Sequence, residues 1–207
     1  RRKKQLKYVN GFEVATHPQE LQEPLQIKKP QIIFVCSMSD LFHEDVPASF
    51  IKQVFDVMVQ ADWHRYQVLT KRSERLRELS PELPWPEHIW AGVTIENNDY
   101  VSRADDLRAT GAQVKFVSAE PLIGPLPDLD YTGIDWMVVG GESGPGCRVM
   151  EEQWALDILD KCRECDVPFF FKQWGGVNKK KTGRLLQGTT YDEMPVAEYS
   201  QATGMTV

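Results

Sequence analysis

The sequence predicts an α/β fold, a parallel (βα) barrel that is TIM-like and partial, and three observations predict it. Six short apolar runs recur along the chain, helical patterns separate several of them, and every run ends in polar or charged residues. The runs are Ile32–Ser37, Tyr66–Thr70, Ile89–Thr94, Val114–Ser118, Trp136–Val139 and Pro168–Lys172. They are β-branched or aromatic without clean polar alternation, as strands buried on both faces of a parallel sheet require. Repeated βαβ units either close toward a barrel or open into a doubly wound sheet. The absence of an early Gly-x-Gly-x-x-Gly turn and the spread of polar groups over all six strand ends favour the barrel. Six strands fall short of the eight that close one.

In chain order, Gly11–Pro30 reads as a proline-punctuated helix-and-loop connection into the first strand. Ala48–Ala61 follows the start signals Asp45 and Pro47 and sets Phe50, Ile51, Val54, Phe55 and Met58 on one face. Ser73–Leu79 is a shorter, more charged helix. Asp99–Thr110 turns Val101, Ala104 and Leu107 inward, with Asn98 as its cap and Gly111 as its stop. Pro121–Gly133 is rich in proline and glycine and reads as a loop. Glu151–Cys165 aligns Trp154, Ile158, Cys162 and Cys165 on one stripe. After the last strand come a polar loop at Gly175–Gly183 and a small hairpin at Arg184–Glu193. The expected organisation is one domain over residues 1–195 and a flexible tail over 196–207.

Composition bounds the function. The 207 residues are 42% hydrophobic and 26% charged, which suits a globular domain and excludes a disordered or collagen-like chain. A net charge of -6 gives no overall basic field for nucleic acid. No apolar run approaches the roughly 20 residues that cross a bilayer. The basic start, Arg1–Lys7, has no apolar segment behind it and is not a secretory signal. Cys36, Cys147, Cys162 and Cys165 are too few and too uneven for a disulfide scaffold, so a cytoplasmic setting is expected. The chain opens at Arg1 in mid-pattern, from which an amino-terminal piece is expected to be missing.

In parallel barrels the βα loops gather the active site at the carboxyl ends of the strands. Read in order, those ends offer Ser37, Ser39 and Asp40; Thr70, Lys71 and Arg72; Thr94, Glu96 and Asn97; Ser118 and Glu120; Gly140, Gly141, Glu142 and Ser143; and Lys172, Gln173 and Trp174. Glu96, Glu120 and Glu142 are the candidate catalytic residues, for acid–base work, for holding a divalent metal, or for binding an amine or hydroxyls. The plainer reading of each is a structural salt bridge to Lys71, Arg72 or Lys172. Ser39, Asp40, Lys71, Arg72, Thr94, Gly140, Gly141, Ser143, Lys172 and Gln173 are the candidate substrate- or cofactor-binding residues. Gly140 to Gly146 is glycine-rich after a strand but lacks the Gly-Lys-Ser/Thr ending of a P-loop, so close backbone approach is its better reading.

Cys162-Arg163-Glu164-Cys165 has C-x-x-C spacing, yet no second pair completes a tetrahedral site, and core packing is the expectation. Cys36, inside a strand, is expected to be inert. Of His17, His43, His64 and His88, none has metal-ligand spacing, and only His43 stands near a strand end. Lys179-Lys180-Lys181 with Arg184 is the basic run near the last strand, either a solvated loop or a phosphate contact to nucleic acid or a nucleotide.

Five ordered motifs resemble a family of uncharacterised proteins common in phages, prophages and bacteria. They are Ser37-Met38-Ser39-Asp40-Leu41-Phe42-His43, Val68-Leu69-Thr70-Lys71-Arg72, Ser118-Ala119-Glu120-Pro121-Leu122, Gly140-Gly141-Glu142-Ser143-Gly144 and Phe169-Phe170-Phe171-Lys172-Gln173-Trp174-Gly175. The resemblance runs from about Gly11 to Pro195 and implies a barrel similar to that of radical S-adenosylmethionine (SAM) enzymes. It implies, further, a cysteine cluster ending in Cys-Tyr-Ala upstream of Arg1, similar to a three-thiolate [4Fe-4S] site that leaves one iron open for SAM. None of the four cysteines present matches that cluster, so this chain alone is expected to be inactive. By the same resemblance Ser39 and Asp40 contact SAM, while Thr94 and Glu96 face the ribose. Gly140-Gly141-Glu142 is similar to a tripeptide that binds the methionyl amine but lies at the fifth run rather than an early one. Two other readings stay open: a metal-dependent or phosphate-handling barrel enzyme without a cluster, and a non-catalytic nucleic-acid-binding accessory protein. The substrate and the oligomeric state are not specified.

Overall fold

The computed structural model describes residues 13–37, 39–177 and 182–195. The six apolar runs become β1 (Ile32–Val35), β2 (Arg65–Thr70), β3 (Ile89–Thr94), β4 (Lys115–Ala119), β5 (Trp136–Gly140) and β6 (Phe169–Gln173). They form one all-parallel sheet in the order β1-β2-β3-β4-β5-β6. The sheet is a curled half-barrel, open between β1 and β6, rather than a closed barrel.

The helices are α1 (Glu23–Gln26), α2 (Ala48–Gln60), α3 (Ser73–Leu79), α4 (Arg103–Arg108) and α5 (Glu152–Glu164). They cover the convex face. Ile51, Phe55 and Met58 of α2, Leu76 of α3, Leu107 of α4 and Ile158 of α5 join Tyr66, Val68, Ile89, Val93, Val117, Met137, Val139, Phe169 and Phe171 in one core. Burial of that apolar surface, at about 25 cal/mol per Å², drives the layer together. Pro121–Gly133 contains no helix, as its glycine and proline content demands.

Side chains alternate across a strand, so the other half of each strand faces the concave side. There Trp90, Val114, Phe116, Trp136, Val138 and Phe170 form a second buried cluster. Trp136 is its hub, with ring centroids 5.8 Å from Trp90, 5.7 Å from Phe116 and 5.9 Å from Phe170. Gly92 makes room for it, since a Cβ there would lie 2.3 Å from the Phe116 ring. The chain after β6 straps its outer edge: Phe171 N–H donates to the Tyr191 carbonyl at 3.0 Å, and Asp192 bridges to Phe170 in antiparallel sense. Glu193 closes the strap through Arg163 and the Phe169 N–H, the latter at 2.9 Å. Arg163 holds its carboxyl below the ordinary carboxylate range.

Several local expectations are corrected. Cys36 lies one residue beyond β1 in a left-handed conformation (φ 58) and is half-buried rather than inside the strand. The cap before α4 is Asn97, which accepts the Asp99 N–H at 3.0 Å, not Asn98, and a 3-10 turn over Asn98–Tyr100 intervenes. The helix stops at Arg108, before Gly111. Cys162 is buried, with its thiol pushed up to about 12 by burial, but Cys165 is exposed. The reason is that Cys165 already follows the last residue of α5 and no longer keeps its stripe. Residues 178–181, with Lys179 to Lys181, and residues 196–207 lie outside the described residues.

Candidate functional site

The site follows from strand parity. Along β3 the concave positions are Trp90, Gly92 and Thr94, and the next step is Glu96; along β4 they are Phe116 and Ser118, then Glu120. Along β5 they are Trp136, Val138 and Gly140, then Glu142. The same step rule takes β2 from Leu69 to Lys71 and β6 from Phe170 to Lys172. Aromatic floor and charged rim are therefore successive layers of one face. Thr94, Ser118 and Glu96 are buried at the boundary between them.

At the β2–β3 side Glu96, only 7% exposed, is held between two cations. Its Oε1 accepts from the Lys71 ammonium and its Oε2 from Arg103 Nη1 at 2.8 Å. Arg103 Nη1 also donates to the Thr94 carbonyl at 2.7 Å, which ties α4 to the end of β3. Burying a carboxylate is tolerated only with such compensation.

At the β4–β6 side Glu120 Oε2 accepts from Lys172 Nζ at 2.8 Å and Oε1 from Gln173 Nε2 at 3.2 Å. Gln173 Nε2 also donates to Ser143 Oγ at 3.0 Å. Lys172 and Gln173 are adjacent in sequence, yet both reach Glu120 because the β5–β6 register shifts there, so that Gly140 pairs with Gln173. Gly140 leaves space for the carboxyl, because a Cβ would stand 3.3 Å from Glu120 Oε1. Gly141 permits a close approach of another kind: its hydrogen faces the Trp174 carbonyl, where a Cβ would lie 2.0 Å away. The two loops then pair backbone to backbone, with Gly176 N–H donating to the Glu142 carbonyl at 2.7 Å.

Glu142 is clasped by Arg148. Oε2 accepts Nε at 2.9 Å and the Arg148 backbone N–H at 2.8 Å, while Oε1 accepts Nη2 at 2.8 Å. This fork holds its carboxyl down to about 2, first through the guanidinium and then through the N–H, with the Lys71 charge adding to it. The same hydrogen bonds with Glu142 raise Arg148.

Asp40 has a different part. Oδ1 accepts Phe42 N–H at 2.9 Å and Thr70 Oγ1 at 2.7 Å, and Oδ2 accepts Lys71 N–H at 3.0 Å and Arg72 Nη1 at 3.1 Å. Four protein donors pin the β1 loop to the end of β2, and Arg72 extends the link to Glu44 at 3.0 Å. Ser39 is exposed on that loop. His43 accepts the Asp45 N–H at 3.2 Å within the same turn. The structure thus gathers Lys71, Thr94, Glu96, Glu120, Gly140, Glu142, Ser143, Lys172 and Gln173 at the mouth, and sets Asp40 and Arg72 as the brace of its β1–β2 side. Sequence reading missed Arg103 and Arg148. Their signal was available only as unpaired basic residues on the helix and loop that follow two acidic strand ends.

Among the described residues no group of three or more His, Cys, Asp or Glu is placed to hold a metal ion, and no helix is long and apolar enough to cross a membrane. No curated protein and no solved structure matches the chain. One family model does, over residues 1–195, which takes in all six strands and the whole rim. The chain accordingly belongs to the family described as protein of unknown function DUF5131.

Proposed function

We propose that this chain is the barrel part of an enzyme similar to radical-SAM enzymes, and that the charged rim binds a small zwitterionic ligand, SAM. The observation that supports the reading is that both signs of charge meet at one mouth: Glu96, Glu120 and Glu142 at the ends of β3, β4 and β5, each paired with a cation, Lys71, Lys172 and Arg148 in turn. A site of one sign would select an ion. A site with both signs at short range suits a ligand that carries an ammonium and a carboxylate together.

Glu96 and Glu142 would accept the ammonium of the methionyl group, and Lys71 would meet its carboxylate. Thr94 and Ser118 border the same mouth and suit ribose hydroxyls. Bound SAM supplies a sulfonium whose adjoining carbon–sulfur bonds are labile. The protein's own share is to orient the ligand and to exclude water above the aromatic floor. An iron–sulfur cluster does not fit the described residues, because no three cysteines come together: Cys162 is buried in the core, Cys165 lies past the end of α5, and Cys36 and Cys147 are single residues on the loops after β1 and β5. The role of the rim is therefore confined to holding the ligand.

Titration calorimetry of the chain with SAM and with free methionine tests the reading. Binding of both, weakened at least about tenfold in Glu96→Gln and in Lys71→Ala, the latter with thermal stability little changed, is the expected result. Absence of binding to wild-type protein, or equal binding by the variants, would refute it.

A further inference from the structure

Beside the charged mouth lies an aromatic ring that packing does not explain. Tyr100 is 40% exposed, yet it stands on a loop held at Asn97, Asn98 and Arg103. Asn97 Oδ1 accepts the Asp99 N–H at 3.0 Å at the start of the turn. Asn98 and Asp128 bond reciprocally, Nδ2 to Oδ2 at 2.8 Å and backbone N–H to Oδ1 at 3.1 Å. The Arg103 guanidinium lies 4.2 Å from the centroid of the Tyr100 ring and is itself fixed by Glu96 and the Thr94 carbonyl. The ring is thus oriented by the same arginine that positions the buried carboxylate of the site.

An exposed aromatic on a loose loop gains little by stacking, because ordering it costs what the contact returns. Here that ordering is done before any ligand arrives. A guanidinium against a ring polarises it, and a flat π-surface beside a polar mouth suits a planar, hydrogen-bonding heterocycle. We infer that Tyr100 is a stacking platform for the nucleobase of the ligand, and that Arg103 is its positioning residue. The inference deepens the reading of the rim as a ligand site and rests on it, but it names a separate part of the ligand and a separate residue. It carries one expectation that charge alone does not: nucleosides without any charge should bind.

The test uses the whole chain with adenosine, guanosine and cytidine as ring probes and methionine as the charge probe. Equilibrium dialysis gives affinities, and saturation-transfer NMR reports which ligand protons contact the protein. Nucleoside binding should fall at least about fivefold in Tyr100→Ala, as loss of one base–aromatic contact does. It should stay within about twofold in Tyr100→Phe, which keeps the ring. Methionine binding should not change in either. Nucleosides that fail to bind wild-type protein, or that bind Tyr100→Ala as tightly, would overturn the platform even if methionine still binds at Lys71 and Glu96. Conversely, Tyr100-dependent nucleoside binding together with methionine binding indifferent to Lys71→Ala would uphold the platform and refute the zwitterion reading.

Discussion

The floor and the rim of the concave face are built from the same strands, one side-chain layer apart, and they do opposite work. The floor is Trp90, Phe116, Trp136 and Phe170, buried, with Trp136 in ring contact with the other three. The rim is Lys71, Glu120, Glu142, Arg148 and Lys172, each partly exposed and each in an ion pair. Stability resides where water is excluded over large apolar areas, and it is small where charges pair near solvent. The comparison teaches that the lower layer holds the sheet in its curl and the upper layer is free to be used.

Four perturbations would break or sharpen this contrast. The largest effect belongs to Trp136→Ala, which empties the hub of the floor and strips the Glu193 carbonyl of its indole donor. A loss of about 3–5 kcal/mol is expected by urea denaturation; a loss under about 1 kcal/mol would show that the floor does not hold the sheet. Next, Gly92→Ala forces a methyl into the Phe116 ring and should cost about 1–3 kcal/mol by overpacking, read as a lowered Tm. Lys71→Ala, at the rim, should change stability by at most about 1 kcal/mol while reducing ligand affinity. An effect on stability as large as that of Trp136→Ala would erase the distinction between layers.

The smallest effect concerns the Glu142 clasp. Its carboxyl is held at about 2, below its unfolded value, so the clasp contributes above the ordinary carboxylate range and is lost only as pH falls toward 2. Carboxyl-detected NMR titration should find Glu142 ionised through pH 4. In Arg148→Ala its midpoint should return toward the ordinary carboxylate range. A Glu142 that titrates alike in both proteins would remove Arg148 from the site.

Much of this arrangement was legible in the sequence. All six strands sit where short apolar runs stood, and Ser73–Leu79 is a helix with those bounds. The step from Trp90 through Gly92 and Thr94 to Glu96 was also visible there as period-two spacing. Because the strands are apolar on both faces, that spacing shows as parity rather than as alternating polarity. Arg103 and Arg148 were hidden for another reason. Each pairs with a glutamate six or seven residues earlier, across a turn whose path no propensity specifies. Cys165 was misplaced because a helical stripe was extended one residue past the helix end, where the geometry that defines it no longer holds.

By itself the sequence determined the parallel sheet, the order of its elements and the end of each strand where charge collects, because these depend on local apolar runs and on chain connectivity. Tertiary structure alone decided how far the sheet curls. It also decided which cation answers each carboxylate, and that Tyr100 stands fixed beside them. Those depend on distances between residues far apart in the chain, and such distances are set by the packing of the floor rather than by any local preference.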